Sequence, residues 1–260
     1  MGGKTVALQL RLLGTATSQG VPVIGCHCAT CRSRDPRDRR LRTSAVLSVG
    51  EARLNVDAGP DFRAQMLTAG VERLDGILFT HEHNDHTAGL DDVRPYCFMQ
   101  EMDMPVYCLP RVAEDLKLRF AYTFSNYPGV PRLDVREVDF GGSVAIGGEQ
   151  LQLLRVDHGK LPILGFRVRG LAYLTDVKTL PEATLEALTG LQTLVISCLN
   201  RHGTHSHLSV TETLAYARRI GAVRTVLIHM SHRLGPHAEF QESLPPGIEV
   251  GYDGMVIDIA

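Results

Sequence analysis

The sequence predicts an α/β protein in which two β-sheets pack face to face and helices cover their outer surfaces. Three observations point there. Strand-like runs are many, short and rich in Val, Ile and Leu. Helical patterns are fewer and fall between pairs and groups of strands, so the chain is not a simple strand–helix alternation. No repeat, low-complexity tract or linker interrupts it, and residues 1–260 read as one domain.

In order, the chain opens on Val6–Leu13, which alternates like a strand. Ser44–Val49, Arg53–Val56, Gly76–Phe79 and Val106–Cys108 follow as strands of the first half. Leu151–Val156, Gly165–Val168, Leu171–Leu174, Thr193–Ser197, Thr225–Ile228 and Met255–Ile259 follow in the second. Helical spacing marks Asp61–Ala69, Arg111–Phe120, Pro181–Leu188 and Val210–Ile220. The last has the clearest ends. Ser209 suits an N-cap, Glu212 completes a capping box, and Gly221 stops the helix.

Composition bounds the function. Hydrophobic residues make up 44% and charged residues 22%, enough apolar material for a sizeable core. The formal net charge is -2, which points to neither a nucleic-acid nor a membrane partner. The N-terminus lacks the apolar core of a signal peptide. No run approaches the ~18 apolar residues of a membrane span. Met1-Gly2 opens like a myristoylation site, but position six is Val where Ser or Thr is needed. A cytoplasmic, soluble chain is expected, and a homodimer is compatible with it. Of six Cys, three are packed into Cys26-His27-Cys28-Ala-Thr-Cys31. In a cytosolic chain such a cluster reads as a metal site before disulfides. Cys97, Cys108 and Cys198 sit in apolar surroundings and read as inert core thiols.

The strongest signal is Thr80-His81-Glu-His83-Asn-Asp85-His86, at the end of a buried strand. Imidazole and carboxylate are good ligands for zinc-like divalent ions, and ligands just past a strand end can converge on one point. His81 and His83 share a face of extended backbone, while Asp85 and His86 point elsewhere, which suits a second ion. A solvated polar loop is the bland alternative. His158, Asp176 and His229 each follow a later strand; each alone could be structural, but together they repeat the pattern.

THEHNDHTAGL matches the H-x-H-x-D-H signature, and the chain resembles the metallo-β-lactamase superfamily along essentially its whole length. The resemblance implies the αββα sandwich of the metallo-β-lactamase fold and two active-site divalent ions, Zn or Mn. It implies that His81, His83 and His158 hold one ion, that Asp85, His86 and His229 hold the other, and that Asp176 bridges them. Asp85 is thereby also a catalytic residue.

Three thiolates, Cys26, Cys28 and Cys31, need a fourth ligand for a closed tetrahedral zinc site. His229-Met-Ser-His232 offers His232; His27 is a rival. The segments LLGTATSQGVPVIGCHCATC, HMSH and LPPGIEVGYDGMVIDIA resemble the PhnP-like cyclic phosphodiesterases of phosphonate breakdown. That resemblance implies a structural zinc on three Cys and a His. It also implies a small phosphodiester substrate such as 5-phosphoribosyl 1,2-cyclic phosphate. By alignment with that family His205 is the first candidate for a general acid and His207 the second, and Lys160 is a candidate for binding a substrate phosphate. Arg42 is a weaker phosphate candidate. The rival readings are a hydrolase of another ester class (lactone, thioester or β-lactam), a non-catalytic PqqB-like metal carrier, and RNA processing of the tRNase Z type. The PqqB-like reading predicts loss of a ligand, and none is missing. The tRNase Z reading predicts a basic arm, and no long Gly- or Lys-rich insertion is visible.

Overall fold

Alternating burial makes β1 (Leu8–Gly14) a strand that hides Leu8, Leu10 and Leu12 and exposes Gln9. A short helix, α1 (Ala29–Arg32), precedes β2 (Ser44–Val49) and β3 (Ala52–Val56), and β1, β2 and β3 pair antiparallel. α2 (Phe62–Ala69) ends at Gly70, whose φ of 63° gives the left-handed stop, and leads to β4 (Gly76–Leu78), parallel to β3. Two short helices, α3 (Asn84–Thr87) and α4 (Arg94–Met99), precede β5 (Met104–Cys108). α5 (Pro110–Arg119) then precedes β6 (Leu133–Glu137), and both strands add in parallel. These coordinates are a computed structural model describing residues 7–125 and 128–259.

The second half repeats this order. β7 (Ser143–Ile146), β8 (Glu149–His158), β9 (Leu161–Val168) and β10 (Leu171–Leu174) form an antiparallel meander. α6 (Glu182–Ala187), β11 (Thr193–Ser197), α7 (Val210–Ile220), β12 (Arg224–Ile228), α8 (His237–Glu242) and β13 (Ile248–Val250) follow, with the strands parallel to β10. β14 (Val256–Ile259) returns to pair antiparallel with β1. The result is two seven-stranded sheets, ordered β14-β1-β2-β3-β4-β5-β6 and β13-β12-β11-β10-β9-β8-β7.

One apolar cluster holds Leu10, Leu47 and Leu54 of the first sheet with Leu153, Phe166 and Val195 of the second, and reaches Val112 and Leu116 of α5. A second packs Leu154, Leu174, Leu194 and Leu227 against Leu185, Ala217 and Phe240 of α6, α7 and α8. Neighbours Leu153 and Leu154 thus enter opposite layers, as the two-residue period of a strand requires. β10 and β11 are buried on both faces, which explains their continuous apolar runs. The carboxyl ends of the parallel strands leave the loops in which ligand sites of such sheets form.

The strands expected at Ser44–Val49, Leu171–Leu174 and Thr193–Ser197, and the helix Val210–Ile220, have the predicted ends. The expected strand Val6–Leu13 is Leu8–Gly14, with Val6 outside the described residues. β8 and β9 run longer than expected because they form a continuous hairpin down to the His158–Leu161 pair. β6, β7 and β13 were not anticipated. β6 and β13 are sheet edges, and β6 (Leu-Asp-Val-Arg-Glu) is only partly buried, so each lacks an apolar signature. Among the described residues no helix is long and apolar enough to cross a membrane.

Candidate active site

Three residues one or two positions past a strand end turn their side chains inward through the left-handed region: Asp57 after β3 (φ 61°), Asp176 after β10 (φ 51°) and His229 after β12 (φ 53°). Left-handed backbone is disfavoured for side chains larger than Gly, and such residues cluster where geometry matters for function. Between β4 and β5, His81 is fully buried, and α3 winds Asp85 and His86 onto a single helical turn. His158 closes the β8–β9 hairpin.

These side chains meet. Donor atoms of His81, His83 and His158 lie within 4.8 Å of one another, as do those of Asp85, His86 and His229, and those of His81, His86 and Asp176. Asp176 approaches from both sides: its Oδ2 is 3.4 Å from His86 Nε2 and its Oδ1 is 3.1 Å from His229 Nε2. His81 Nε2 lies 2.9 Å from His83 Nδ1. All seven residues singled out from the sequence are therefore brought together, and donor atoms of His158 and Asp176 also lie within 4.8 Å of one of His207.

The surrounding hydrogen bonds orient the rings. His86 Nδ1–H donates to Asp57 Oδ2 at 2.7 Å, which leaves Nε2 pointing at the cluster. Asp57 also accepts from the Thr80 amide and hydroxyl, both at 2.8 Å. With its hydroxyl proton committed to Asp57, Thr80 Oγ1 accepts from His81 Nδ1–H at 2.9 Å and frees His81 Nε2. His158 Nδ1–H donates to the Ser206 carbonyl at 2.8 Å. Asp57 and Thr80 were missed in the sequence. Asp57 carried the same strand-end signal that marked Asp176.

Charge follows the same plan. Burial opposes ionisation of Asp85 and Asp176, yet His229 and His86 hold both carboxyls far below the usual carboxylate range. Burial pushes His81 well below the usual imidazole value, reinforced by His86, and pushes His158 down as well. Burial opposes a charged His86, but Asp57 and Asp176 hold it well above its ordinary value. Among the described residues, four buried ring nitrogens lack any hydrogen-bond partner: His86 Nε2, His207 Nδ1, and both nitrogens of His229. His229 Nε2 is close to Asp176 but out of hydrogen-bonding alignment. Orphaned buried nitrogens facing carboxylates are costly unless something satisfies them. A nitrogen and carboxylate donor set of this kind suits divalent cations such as zinc or manganese, so the residues fit a two-metal centre.

The two histidine candidates of the loop before α7 stand in different surroundings. His205 is exposed at the rim. His207 is inside: its ring stacks 5.1 Å from that of His229 and lies tilted 4.5 Å from that of His158, with Nδ1 3.7 Å from Asp176 Oδ1. Burial, then His229, push His207 down to about 3. The chain turns back at Thr204, whose hydroxyl accepts from the His207 amide at 3.0 Å, and this places His207 on the inner side. Beside the site opens a cleft of about 640 Å³ lined by His83, His158, Lys160, Lys178, Thr179 and His205. Arg42 is committed elsewhere, to Asp61 at 2.9 Å and the Ser18 carbonyl at 2.9 Å.

Away from this cluster, Cys26, Cys28 and Cys31 surround His232 Nδ1 at 3.3, 3.3 and 3.5 Å. The rival His27 is exposed and stands apart from the group. Burial opposes it, but the Cys31 amide and His232 hold Cys28 down to about 6, while burial pushes Cys31 up to about 11. Three thiols and one imidazole at these distances fit a closed zinc site. Cys97, Cys108 and Cys198 are buried and unpaired, and burial raises all three.

Comparison with known proteins agrees. Residues 52–230 match the family model described as a beta-lactamase superfamily domain. A solved structure described as a new diphosphatase from the PhnP family superposes with a TM-score of 0.92 at 35% identity, over 97% of each chain. An octanoyltransferase of Porphyromonas gingivalis is 41% identical over 94% of this chain but only 50% of its own length, so the chain spans about half of that relative. A ribonuclease Z of Mycobacterium sp. (strain KMS) is 27% identical over 84% of this chain and 90% of its own length. With this match over most of its length and the two-sheet architecture above, the chain belongs to the metallo-β-lactamase superfamily.

Proposed function

We propose that residues 1–260 form a single metal-dependent hydrolase domain that cleaves a phosphodiester in a small phosphorylated molecule. A cyclic phosphodiester such as 5-phosphoribosyl 1,2-cyclic phosphate is the first substrate to test. The likeness to a diphosphatase adds a small diphosphate as the second. The observation that carries this reading is the set of orphaned buried ring nitrogens facing Asp85 and Asp176. His81, His83 and His158 would hold one ion, Asp85, His86 and His229 the other, and Asp176 would be shared. Two divalent cations held there would lower the pKa of a water and neutralise charge on the phosphoryl oxygens. Cys26, Cys28, Cys31 and His232 would hold a structural zinc.

The chain's own groups divide the remaining work. His207, beside the shared Asp176, gives a proton to the leaving oxygen. Burial disfavours its protonated form, and a phosphodiester anion against the ring acts in the opposite sense. Lys160 has no ion-pair partner among the described residues and lines the cleft, so it meets a further phosphate as a point charge. Lys178 is paired with Glu212 at 2.7 Å and is not free for that role.

The test is a hydrolysis screen of metal-loaded protein with bis(p-nitrophenyl) phosphate, cyclic ribose phosphates, cyclic nucleotides, diphosphates, lactones, an octanoyl thioester and precursor tRNA. His207→Ala should cost about 10²–10⁴-fold with an alkyl or ribosyl leaving group. It should cost much less with p-nitrophenolate, which leaves without a proton. His205→Ala should be mild on both. Turnover of precursor tRNA alone would favour the reading suggested by the mycobacterial ribonuclease Z relatives. Turnover of the thioester alone would favour acyl chemistry.

A further inference from the structure

We propose that Glu212, acting through Lys178, is a positioning residue for His207. The proposal rests on His207 as proton donor. The His207 ring makes no hydrogen bond through its buried Nδ1 and lies between the stacked ring of His229 and the tilted ring of His158, so its aim depends on its backbone. That backbone is fastened at several points. The Leu208 amide donates to the Val177 carbonyl at 2.9 Å, which ties the loop to the segment carrying Asp176. Lys178 Nζ reaches back to the His207 carbonyl itself at 3.4 Å.

Lys178 is in turn held by Glu212, the residue at the third position of α7. One Glu212 oxygen, Oε2, accepts from the Ser209 amide at 2.7 Å and hydroxyl at 2.8 Å, which completes the capping box. A cap needs only that oxygen. The other, Oε1, points out of the helix to Lys178 Nζ at 2.7 Å. Gly203 lies against the same carboxylate: a Cβ there would sit 2.7 Å from Oε2, so the loop closes down on Glu212. The side chains of Lys178 and Glu212 are 22% and 40% exposed, and an ion pair that open adds little to stability. Its consequence is geometric: the helix cap, the Asp176 strand end and the His207 carbonyl share one joint.

The experiment uses metal-loaded full-length protein and a series of methyl aryl phosphodiesters whose leaving groups run from p-nitrophenol to phenol. Glu212→Gln keeps the capping box, because Gln serves at that position, and removes the charge that holds Lys178. We expect a melting temperature near the parent's and an unchanged KM. The loss in kcat should grow from less than about two-fold with p-nitrophenol to about ten-fold with phenol, the scale of a slightly misplaced group. Lys178→Met should reproduce this and Lys178→Arg should restore the parent slope. In a His207→Ala background Glu212→Gln should add nothing, because its effect passes through that ring. In metal-free protein, Glu212→Gln should broaden or shift the His207 ring signals in the NMR spectrum while those of His237 stay in place. Equal losses on all leaving groups, or the same loss with His207 absent, overturns the positioning role. A lower KM with unchanged kcat also overturns it, since Glu212 would then only mask the Lys178 charge. If His207→Ala itself shows no leaving-group dependence, the proton-donor assignment fails first and takes this inference with it.

Discussion

Asp57 accepts the Nδ1–H of His86 at 2.7 Å, and through the Thr80 hydroxyl the same carboxylate sets the tautomer of His81. One fully buried side chain thus orients one ring in each of the two proposed metal positions. Groups that orient ligands in this way commonly tune affinity by about 10–100-fold. Asp57→Asn should therefore lower affinity for divalent metal by about that factor in a competition against a chelator, with the backbone fold kept. Unchanged affinity would show that the rings are held by packing alone.

Gly59 touches the loop that carries Asp85. A Cβ at Gly59 would lie 2.0 Å from the Asp85 carbonyl oxygen, which is backbone and cannot swing away. Gly59→Ala must push Asp85 and His86 off their positions. Thermal unfolding should report a loss of about 1–3 kcal/mol, the usual cost of overpacking. Activity should fall by about 10²-fold, because small displacements of positioned groups are expensive. A variant as active as the parent would mean that α3 tolerates a shifted approach.

Much of this was legible in the sequence because it depends on local order. His81, His83, Asp85 and His86 lie within six residues, and His158, Asp176 and His229 each follow an apolar strand. Short strands and displaced helices pointed to two packed sheets, and the resemblance carried by the H-x-H-x-D-H signature implied the αββα class. What stayed hidden depends on contacts between distant segments. Asp57 and Thr80 matter through hydrogen bonds across β3 and β4; Asp57 carries the strand-end signal of Asp176, but nothing in the spelling of Thr80 separates that role from a turn. Which of His205 and His207 faces the cluster depends on the turn at Thr204, which alignment across a loop of uncertain register cannot supply. β6 hid because an edge strand needs little apolar surface.

Lys160 offers a simple kinetic test. It lines the cleft with no ion-pair partner among the described residues, and a distal phosphate that takes no part in the reaction would be bound by it equally in ground and transition states. Lys160→Ala should raise KM for 5-phosphoribosyl 1,2-cyclic phosphate and leave kcat alone. It should leave bis(p-nitrophenyl) phosphate, which has no second phosphate, unaffected. An effect on kcat for both substrates would move Lys160 to the reacting centre.

The last prediction concerns the link between the two metal-binding clusters. His229 and His232 are three residues apart, one in each cluster. The segment between them is fastened on both sides. Met230 exchanges backbone hydrogen bonds with Thr15 and Thr17, and Ser231 hydrogen-bonds Asn200. His229 itself holds a left-handed backbone at φ 53°, a conformation that its neighbours must enforce. Zinc on Cys26, Cys28, Cys31 and His232 would fix one end of this segment and so favour the His229 geometry at the other. Elemental analysis of parent protein should approach three transition metals per chain. Asp85→Ala should abolish hydrolysis and keep the metal on the thiols. Cys28→Ala should lose that metal and lower the melting temperature, because a closed zinc site contributes folding free energy. It should also weaken metal binding at the histidine cluster. Linkage requires the converse by the same factor: filling the histidine cluster must tighten zinc on the thiols equally. Chelator titrations of the two variants against the parent measure both factors. Coupling in neither direction would mean that the loop from 229 to 232 is rigid without zinc. An unchanged zinc content and melting temperature in Cys28→Ala would remove the thiol site altogether.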